Sequence, residues 1–387
     1  MNNRITDQDD EKVVFFFGAG ASKSEGEITT NQLLEKSFKR FPSDDKVIMV
    51  KEYLKDIYNN KCDNSNIPTL EEVLGPIDIA LQKQENMSTN WDVEKLTDLR
   101  DNLIYCICKI LDENLQSPKG YHKKFVDNLL VMYPDLWKKC SFISLNYDIL
   151  LDNELTKLVD SASNIDLNYG IQFRNNDWRN PREQNVRLLK LHGSLNWLYC
   201  PTCNSIKITP KEKGVMKIYT QSENCESDFC KGRSKQKPIV VPPTFTKAYG
   251  NPFLVSIWLQ AEIVLQKATT VCFIGYSMPE ADIHIQYLLK KSLFRQDGNK
   301  PKIIVVNPDP KNKTTHKRYQ RLFGEVKYLQ IGFEEFALQP DKYLHGSQKE
   351  TEIEQAAESG RARKNFDSRI AESAITKKLV NTNYGGK

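Results

Sequence analysis

The chain contains no apolar run near the roughly 18 residues of a membrane-spanning helix. Its apolar runs have strand length instead, such as VVFFF at 13–17. Its first twelve residues, MNNRITDQDDEK, are polar and acidic, which excludes a secretory signal and makes the cytoplasm the expected location. Charge of one sign is lacking too: 55 Lys+Arg stand against 50 Asp+Glu. The resulting +5 permits contact with nucleic acid without arguing for it. No internal repeat is visible. Histidine is scarce, with five in 387 residues, so each one can be weighed individually. The ordinary dinucleotide fingerprint is also incomplete. Its third glycine would fall at Lys23, and no acidic residue closes a second strand about 20 residues on. That argues against a dehydrogenase.

What is present is ordered. VVFFFGAGAS at 13–22 reads as a buried parallel strand ending in Gly18-Ala19-Gly20 and Ser22, a turn that lets backbone approach a pyrophosphate. The alternative is a plain strand-to-helix turn with Ser22 as N-cap. Further strand-length runs lie at 141–145, 187–191, 270–275 and 302–306, with helical spacing at 252–267 and 281–294. Strands alternating with helices predict a mostly parallel sheet covered on both faces. Residues 42–135 read as a helical insertion, with a capping box at Thr69–Glu72 and an apolar stripe over 97–115.

Polar residues cluster where these strands end. Asn146-Tyr147-Asp148 follow 141–145, and ligands of open α/β sheets bind beyond the carboxyl ends of strands. Capping of a helix starting near Ile149 is the competing role for Asn146 and Asp148. His192-Gly193 close 187–191, and a histidine there is the default general base at neutral pH. His122, His284, His316 and His345 are assigned to helices or loops with structural or surface roles. Gly275-Tyr276-Ser277 and Asn307 end the last two strands, where a helix start and a turn are the plainer readings.

Nine cysteines in a chain without a secretory signal do not suggest a disulfide framework. Cys62, Cys106, Cys108, Cys140 and Cys272 are scattered. Cys200-x-x-Cys203 and Cys225-x₄-Cys230 sit in a polar insertion and suit a closed tetrahedral zinc site with a structural role.

In this order the motifs resemble the sirtuin family. GAGAS is similar to its GAG-x-S turn, SLNYD at 144–148 to its TQNID, and LHG at 191–193 to the segment with its catalytic histidine. The four cysteines follow as its zinc ribbon does. Val240-Val-Pro-Pro243 resembles the strand after that ribbon, Gly275-Tyr-Ser277 its GTS, and Val306-Asn307 its adenosine-side asparagine. Two elements of the deacylases differ: Glu27–Asn31 stands where they carry PDFR, and Thr244–Tyr249 where they carry a peptide-binding FGE segment.

The chain is therefore more like the bacterial SIR2-like branch, whose members hydrolyse NAD in anti-phage defence, some of them assembled with a HerA-type hexameric ATPase. The resemblance implies an α/β fold with a Rossmann-like parallel sheet, helices on both faces, a helical insertion and a small four-cysteine zinc module. The catalytic domain would span 1–344, with the helical insertion at 42–135, the zinc module at 197–238 and a polar tail at 345–387. It also implies an NAD glycohydrolase causing abortive infection by NAD depletion, with Asn146 and His192 catalytic. NAD would contact Gly18, Ala19, Gly20, Ser22, Asp148, Gly275, Ser277 and Asn307, while Cys200, Cys203, Cys225 and Cys230 would hold zinc. The stretch after 345 is short for a ligand-sensing domain. This favours a homo-oligomer controlled by a separate partner, a HerA-type ATPase, with the tail as one docking segment. A protein deacylase and a non-catalytic nucleotide-sensing subunit are the alternatives.

Overall fold

The computed structural model describes residues 11–26, 32–58, 67–114, 116–162, 164–171, 181–209, 216, 224–241, 251–294 and 300–345. Among them, seven strands form one parallel sheet. In chain order these are β1 (Val13–Phe17), β2 (Cys140–Ser144), β3 (Asp166–Asn168), β4 (Asn185–Lys190), β8 (Thr270–Ile274), β9 (Lys302–Val306) and β10 (Lys327–Leu329). Their spatial order is β10-β9-β8-β1-β2-β4-β3. All five residues of β1 are buried, as expected of a strand covered on both faces.

Side-chain alternation divides β1 between the two faces of the sheet, one turned towards Phe125 and the other, through Phe273, towards Tyr319 and Phe323. Phe15 and Phe17 meet Phe125 on α6 (Tyr121–Met132), and Phe17 also meets Phe333 on α12 (Phe333–Leu338). Phe16 meets Phe273 and Tyr276. This is the Rossmann-like architecture expected of the sequence. The helix expected at 252–267 is α9 (Pro252–Lys267), opened by Asn251, whose side chain accepts from Phe253 N. The one expected at 281–294 is α10 (Ile283–Leu293).

A second cluster of buried side chains comes from α2 (Leu33–Arg40), α3 (Asp45–Tyr58), α4 (Leu70–Lys83) and α5 (Val93–Asn114). The Thr69–Glu72 capping box at the head of α4 makes both of its hydrogen bonds. α6 is helical as well, but its Phe125, Val126, Leu129 and Leu130 pack into the core of the sheet. A single turn, α7 (Leu136–Lys139), then leads directly into β2.

A small antiparallel sheet links the two cores. It comprises β5 (Gly193–Tyr199), β6 (Ile206–Ile208) and β7 (Lys237–Val240), with β5 in the middle. Leu195 and Leu198 of β5 belong to the helical cluster, and Trp197 to the sheet core. No described helix is long and apolar enough to cross a membrane.

Candidate active site at the switch of the parallel sheet

The strands end in register. Phe17 pairs with both Ser144 and Ile274, Ser144 with Lys190, and Ile274 with Val306. The residues that follow these strands therefore form one row along the carboxyl edge. Gly18, Gly275 and Asn307 come one position past the paired ends, Asn146 and His192 two. Strand order reverses between β1 and β8, because the chain leaves β1 towards β2 and leaves β8 towards β9. Ligands of open α/β sheets bind at such a switch.

At the switch two glycine turns press together. Gly20 N donates to Gly275 O (2.8 Å) and Gly18 N to Ile274 O (3.0 Å). A Cβ on Gly20 would stand 2.7 Å from Gly275 Cα, and one on Gly18 would stand 2.7 Å from Tyr276 Cα. The glycines are thus required by contact of one backbone with another. α1 (Ala19–Ser24) begins at once with Gly18 as N-cap, so Ser22 lies inside the helix and is not its cap.

Ser22 is fully buried and joins the two polar side chains that follow β2. Its hydroxyl donates to Asp148 Oδ2 (2.6 Å) and accepts from Asn146 Nδ2 (2.8 Å). Asn146 Nδ2 also donates to Gly18 O (3.1 Å), so its amide hydrogens are taken. Its carbonyl oxygen accepts no hydrogen bond from the described residues and stays open to a water or a sugar hydroxyl. Asp148 takes up the helix-start role weighed for it and a second internal bond besides. Oδ2 holds Ser22, while Oδ1 accepts from Leu150 N (3.0 Å) at the first turn of α8 (Leu150–Ser161).

His192 is 7 % exposed and sits where the chain leaves the large sheet for the small one. Leu191 N donates to Ser144 O (3.0 Å), Val241 N donates to His192 O (2.9 Å), and Trp258 of α9 donates to Leu191 O (3.1 Å). Gly193 follows with φ +82°, and a Cβ there would lie 1.9 Å from Ile239 O, so only glycine allows this crossing. The His192 ring centroid is 6.4 Å from that of Tyr147, whose hydroxyl donates to Val241 O (2.5 Å). Ser277 follows the second turn, and its carbonyl accepts from Arg318 (3.4 Å) on α11 (Thr314–Phe323). Asn307 is buried, and its side chain accepts from Asp309 N (2.9 Å), forming the turn.

Sequence reading missed two buried networks behind this row. Lys190, 1 % exposed, donates to Asp148 O and to Asp152 Oδ2 (2.9 Å), and Asp152 Oδ1 accepts from Tyr169 OH (2.9 Å). Burial pushes the Asp152 carboxyl up, countered in part by Lys190 and Tyr169. A lysine ending a buried strand, in RLLKLHG, was the available signal. The second network holds Glu25, which accepts from Gly120 N (2.7 Å), His122 N (2.8 Å) and His122 Nδ1 (3.0 Å) at the head of α6. Burial raises the Glu25 carboxyl, but the bonds from His122 outweigh it, and the group lies below its ordinary range.

Cys200, Cys203, Cys225 and Cys230 converge beside the small sheet, with sulfurs within 4.8 Å of one another. Cys200 and Cys230 are 3.5 Å apart, Cys203 and Cys225 3.7 Å. A tetrahedron of thiolates around one ion at about 2.3 Å has edges of about 3.8 Å, so these four fit it. Burial raises the Cys200 thiol, yet hydrogen bonds from Cys203 N, Ser234 and Thr202 N bring it down to about 6. Glu27–Asn31 and Pro242–Tyr249 lie outside the described residues, as does the tail from 346.

Fold and site together define a parallel α/β protein with a polar site at the switch of its sheet. Residues 140–328, from β2 into β10, match the family described as SIR2-like domain. No curated protein matches the chain. Solved structures that resemble it include a Sir2 enzyme studied for mechanism and regulation (15 % identity, 86 % of this chain, 92 % of that one, TM-score 0.43). A Sir2 homologue in complex with NAD is similar at 16 % identity, covering 90 % and 91 % with TM-score 0.39. Sir2 bound to an acetylated peptide is similar at 14 %, covering 87 % and 94 % with TM-score 0.39.

Proposed function

We propose that the chain is an NAD glycohydrolase, which adds water across the nicotinamide–ribose bond and releases nicotinamide, ADP-ribose and a proton. The observation that carries this reading is the Asn146–Ser22–Asp148 cluster, which ties the residues after β2 to the first glycine turn beside the sheet's switch. The pyrophosphate would lie over Gly18–Ser22, and the adenosine side would reach Ser277 and Asn307. Bond breaking develops positive charge on the ribose, so the site must orient sugar and water rather than supply a strong acid. Asn146 Oδ1 is the acceptor for that water or a ribose hydroxyl. His192 takes the proton, Asp148 is on the nicotinamide side, and Ser22, bonded to both Asp148 and Asn146, keeps Asn146 in place.

The four thiols would hold one structural zinc, which ties Cys200 and Cys203 after β5 to Cys225 and Cys230 before β7. Metal analysis of protein purified without chelator should find about one zinc per chain. The proposed biological role is NAD depletion in anti-phage defence, by a homo-oligomer working with a HerA-type ATPase.

The deciding assay incubates the purified chain, alone and with a co-expressed HerA-type ATPase, with NAD in the presence and absence of an acetylated peptide. Nicotinamide and ADP-ribose formed without peptide are expected, and Asn146→Ala should abolish them. Acetyl-ADP-ribose formed only with peptide would make the chain a deacylase. Binding without turnover in every arm would make it a nucleotide-sensing subunit.

A further inference from the structure

Residues 197–238 hold eight Lys+Arg against four Asp+Glu, a net +4 out of the +5 of the whole chain. The small positive charge of the chain is thus gathered in one module. Four of those cations, Lys231, Arg233, Lys235 and Lys237, are exposed and alternate along the chain from the second cysteine pair into β7. Backbone bonds fix the loop that carries them. Lys231 N donates to Ser227 O (2.9 Å), Gly232 N to Cys225 O (3.0 Å) and Arg233 N to Cys230 O (2.9 Å). Lys235 then pairs with Asn224, and Lys237 opens β7. Alternate residues of an extended chain face one side at a repeat of roughly 7 Å. Gln236 is accordingly buried, while Lys235 and Lys237 face solvent. Phe229 stands on the same loop between Cys225 and Cys230, and at 74 % it is the most exposed large apolar side chain among the described residues. Two acidic residues flank it. Glu226 is paired with Lys207 of β6 (3.1 Å), which leaves Asp228 against the four cations.

We propose that this cysteine loop is a binding surface for single-stranded nucleic acid, with phosphates on Lys231, Arg233, Lys235 and Lys237 and a base stacked on Phe229. Cations alone would take any polyanion, and an exposed ring alone any apolar partner. Together they fit a ligand that alternates anionic phosphates with flat π faces. A duplex hides those faces by stacking and pairing, so the ring selects a single strand. An acidic peptide offers the ring nothing to stack on, and an anionic lipid surface would press its headgroups against Asp228 beside the ring. The loop joins β5 at Cys200, the end of the strand away from His192, so the proposal is independent of the cleavage chemistry.

The test is fluorescence anisotropy of the full chain, without NAD, on a labelled oligo(dT) of about 20 nucleotides, longer than the roughly 4–16 that one small platform covers. Saturable binding is expected at low salt, with log K falling against log salt at a slope of about −2 to −3 for three or four phosphates. Phe229→Ala should raise the dissociation constant about 10–100-fold. Lys231→Gln with Arg233→Gln should weaken binding and flatten the slope by about 1.4. Lys235→Gln with Lys237→Gln should do the same, and is the pair to read should the first not fold. Every changed side chain is exposed, so melting and metal content should match wild type. No binding by wild type, or binding that Phe229→Ala and both basic pairs leave unchanged, overturns the proposal. So does a duplex of the same length that competes as well as the single strand. Binding to phosphatidylserine vesicles that is lost in Phe229→Ala, with none to the oligonucleotide, would make the surface a membrane contact instead. Loss of metal in both basic pairs would assign the cations to the thiolates and overturn it as well. Since binding is read without NAD, an absence of NAD cleavage leaves the result standing.

Discussion

Ser22 sets the polar geometry of the site without facing it. Its hydroxyl both accepts from Asn146 and donates to Asp148 in a place with no solvent to replace it. Ser22→Ala therefore strands a carboxylate oxygen and an amide hydrogen, at about 1–3 kcal/mol. It also frees Asn146 to rotate. Misplacement of a reacting group by about 1 Å costs on the order of 10²-fold. NAD cleavage should fall by about that factor with the far-UV spectrum unchanged, while His192→Ala should lose about 10²–10⁴ through the missing base. Near-normal turnover of His192→Ala would remove the base assignment. Lys190 is the opposite case, a residue of stability. Lys190→Met leaves Asp152 fully buried without its cation, and breaking such a pair costs about 3–5 kcal/mol. Urea denaturation should read that loss, and Asp152→Asn added to it should restore part.

At the scale of elements, the α13 helix (Pro340–Leu344) ends in a clasp. His345 Nδ1 meets Asp341 (2.8 Å), and Nε2 meets Glu11 (3.2 Å) and Tyr133 OH (3.1 Å). Glu11 raises the His345 pKa against burial, and His345 lowers that of Glu11, with Lys139 adding to the effect. A raised histidine contributes stability that is complete below its unfolded value near 6.5 and fades as pH rises through the folded one. A lowered glutamate contributes above about 4.5 and fades as pH falls. The clasp is thus strongest in mildly acidic solution. His345→Gln should lower the melting temperature more at pH 6 than at pH 9; an equal loss at both would show that the charge is irrelevant.

Strands β1, β2, β4, β8 and β9 were legible because burial on both faces leaves unbroken apolar runs, and the site row was legible because it follows those runs. β5 was not. GSLNWLY buries Leu195 and Leu198 in one core and Trp197 in another, and it also buries Ser194 and Asn196, so no period marks it. β3, β6 and β10 have three residues each, too few to carry a pattern. The Lys190–Asp152–Tyr169 network joins positions from β4, α8 and the turn after β3, and only the fold brings them together.

For the whole molecule, the decisive feature is that the sheet core and the helical cluster meet through β5. The chain enters β5 from His192 and leaves it at Cys200, so the four-thiol cluster, with the proposed zinc bound, would clamp the far end of the strand that begins beside the candidate site. Tyr147 of the site row packs against the helical cluster, which places the row at the junction of the two cores. Loosening the cluster should then propagate in a defined order. In Cys200→Ser, or after a strong chelator, β5–β7 would lose their clamp first. α2–α5 would follow, since Leu195 and Leu198 are part of their core, while β1, β2 and β8 keep their seven-stranded pairing. Hydrogen exchange read by mass spectrometry should show protection lost at 193–199 and 237–240, then at 33–58 and 70–111, with 13–17, 140–144 and 270–274 holding longest. NAD cleavage should fall with the first step, because His192 and Gly193 open β5. Simultaneous loss of protection in all segments would mean that the two cores unfold as one unit and that β5 does not transmit the change.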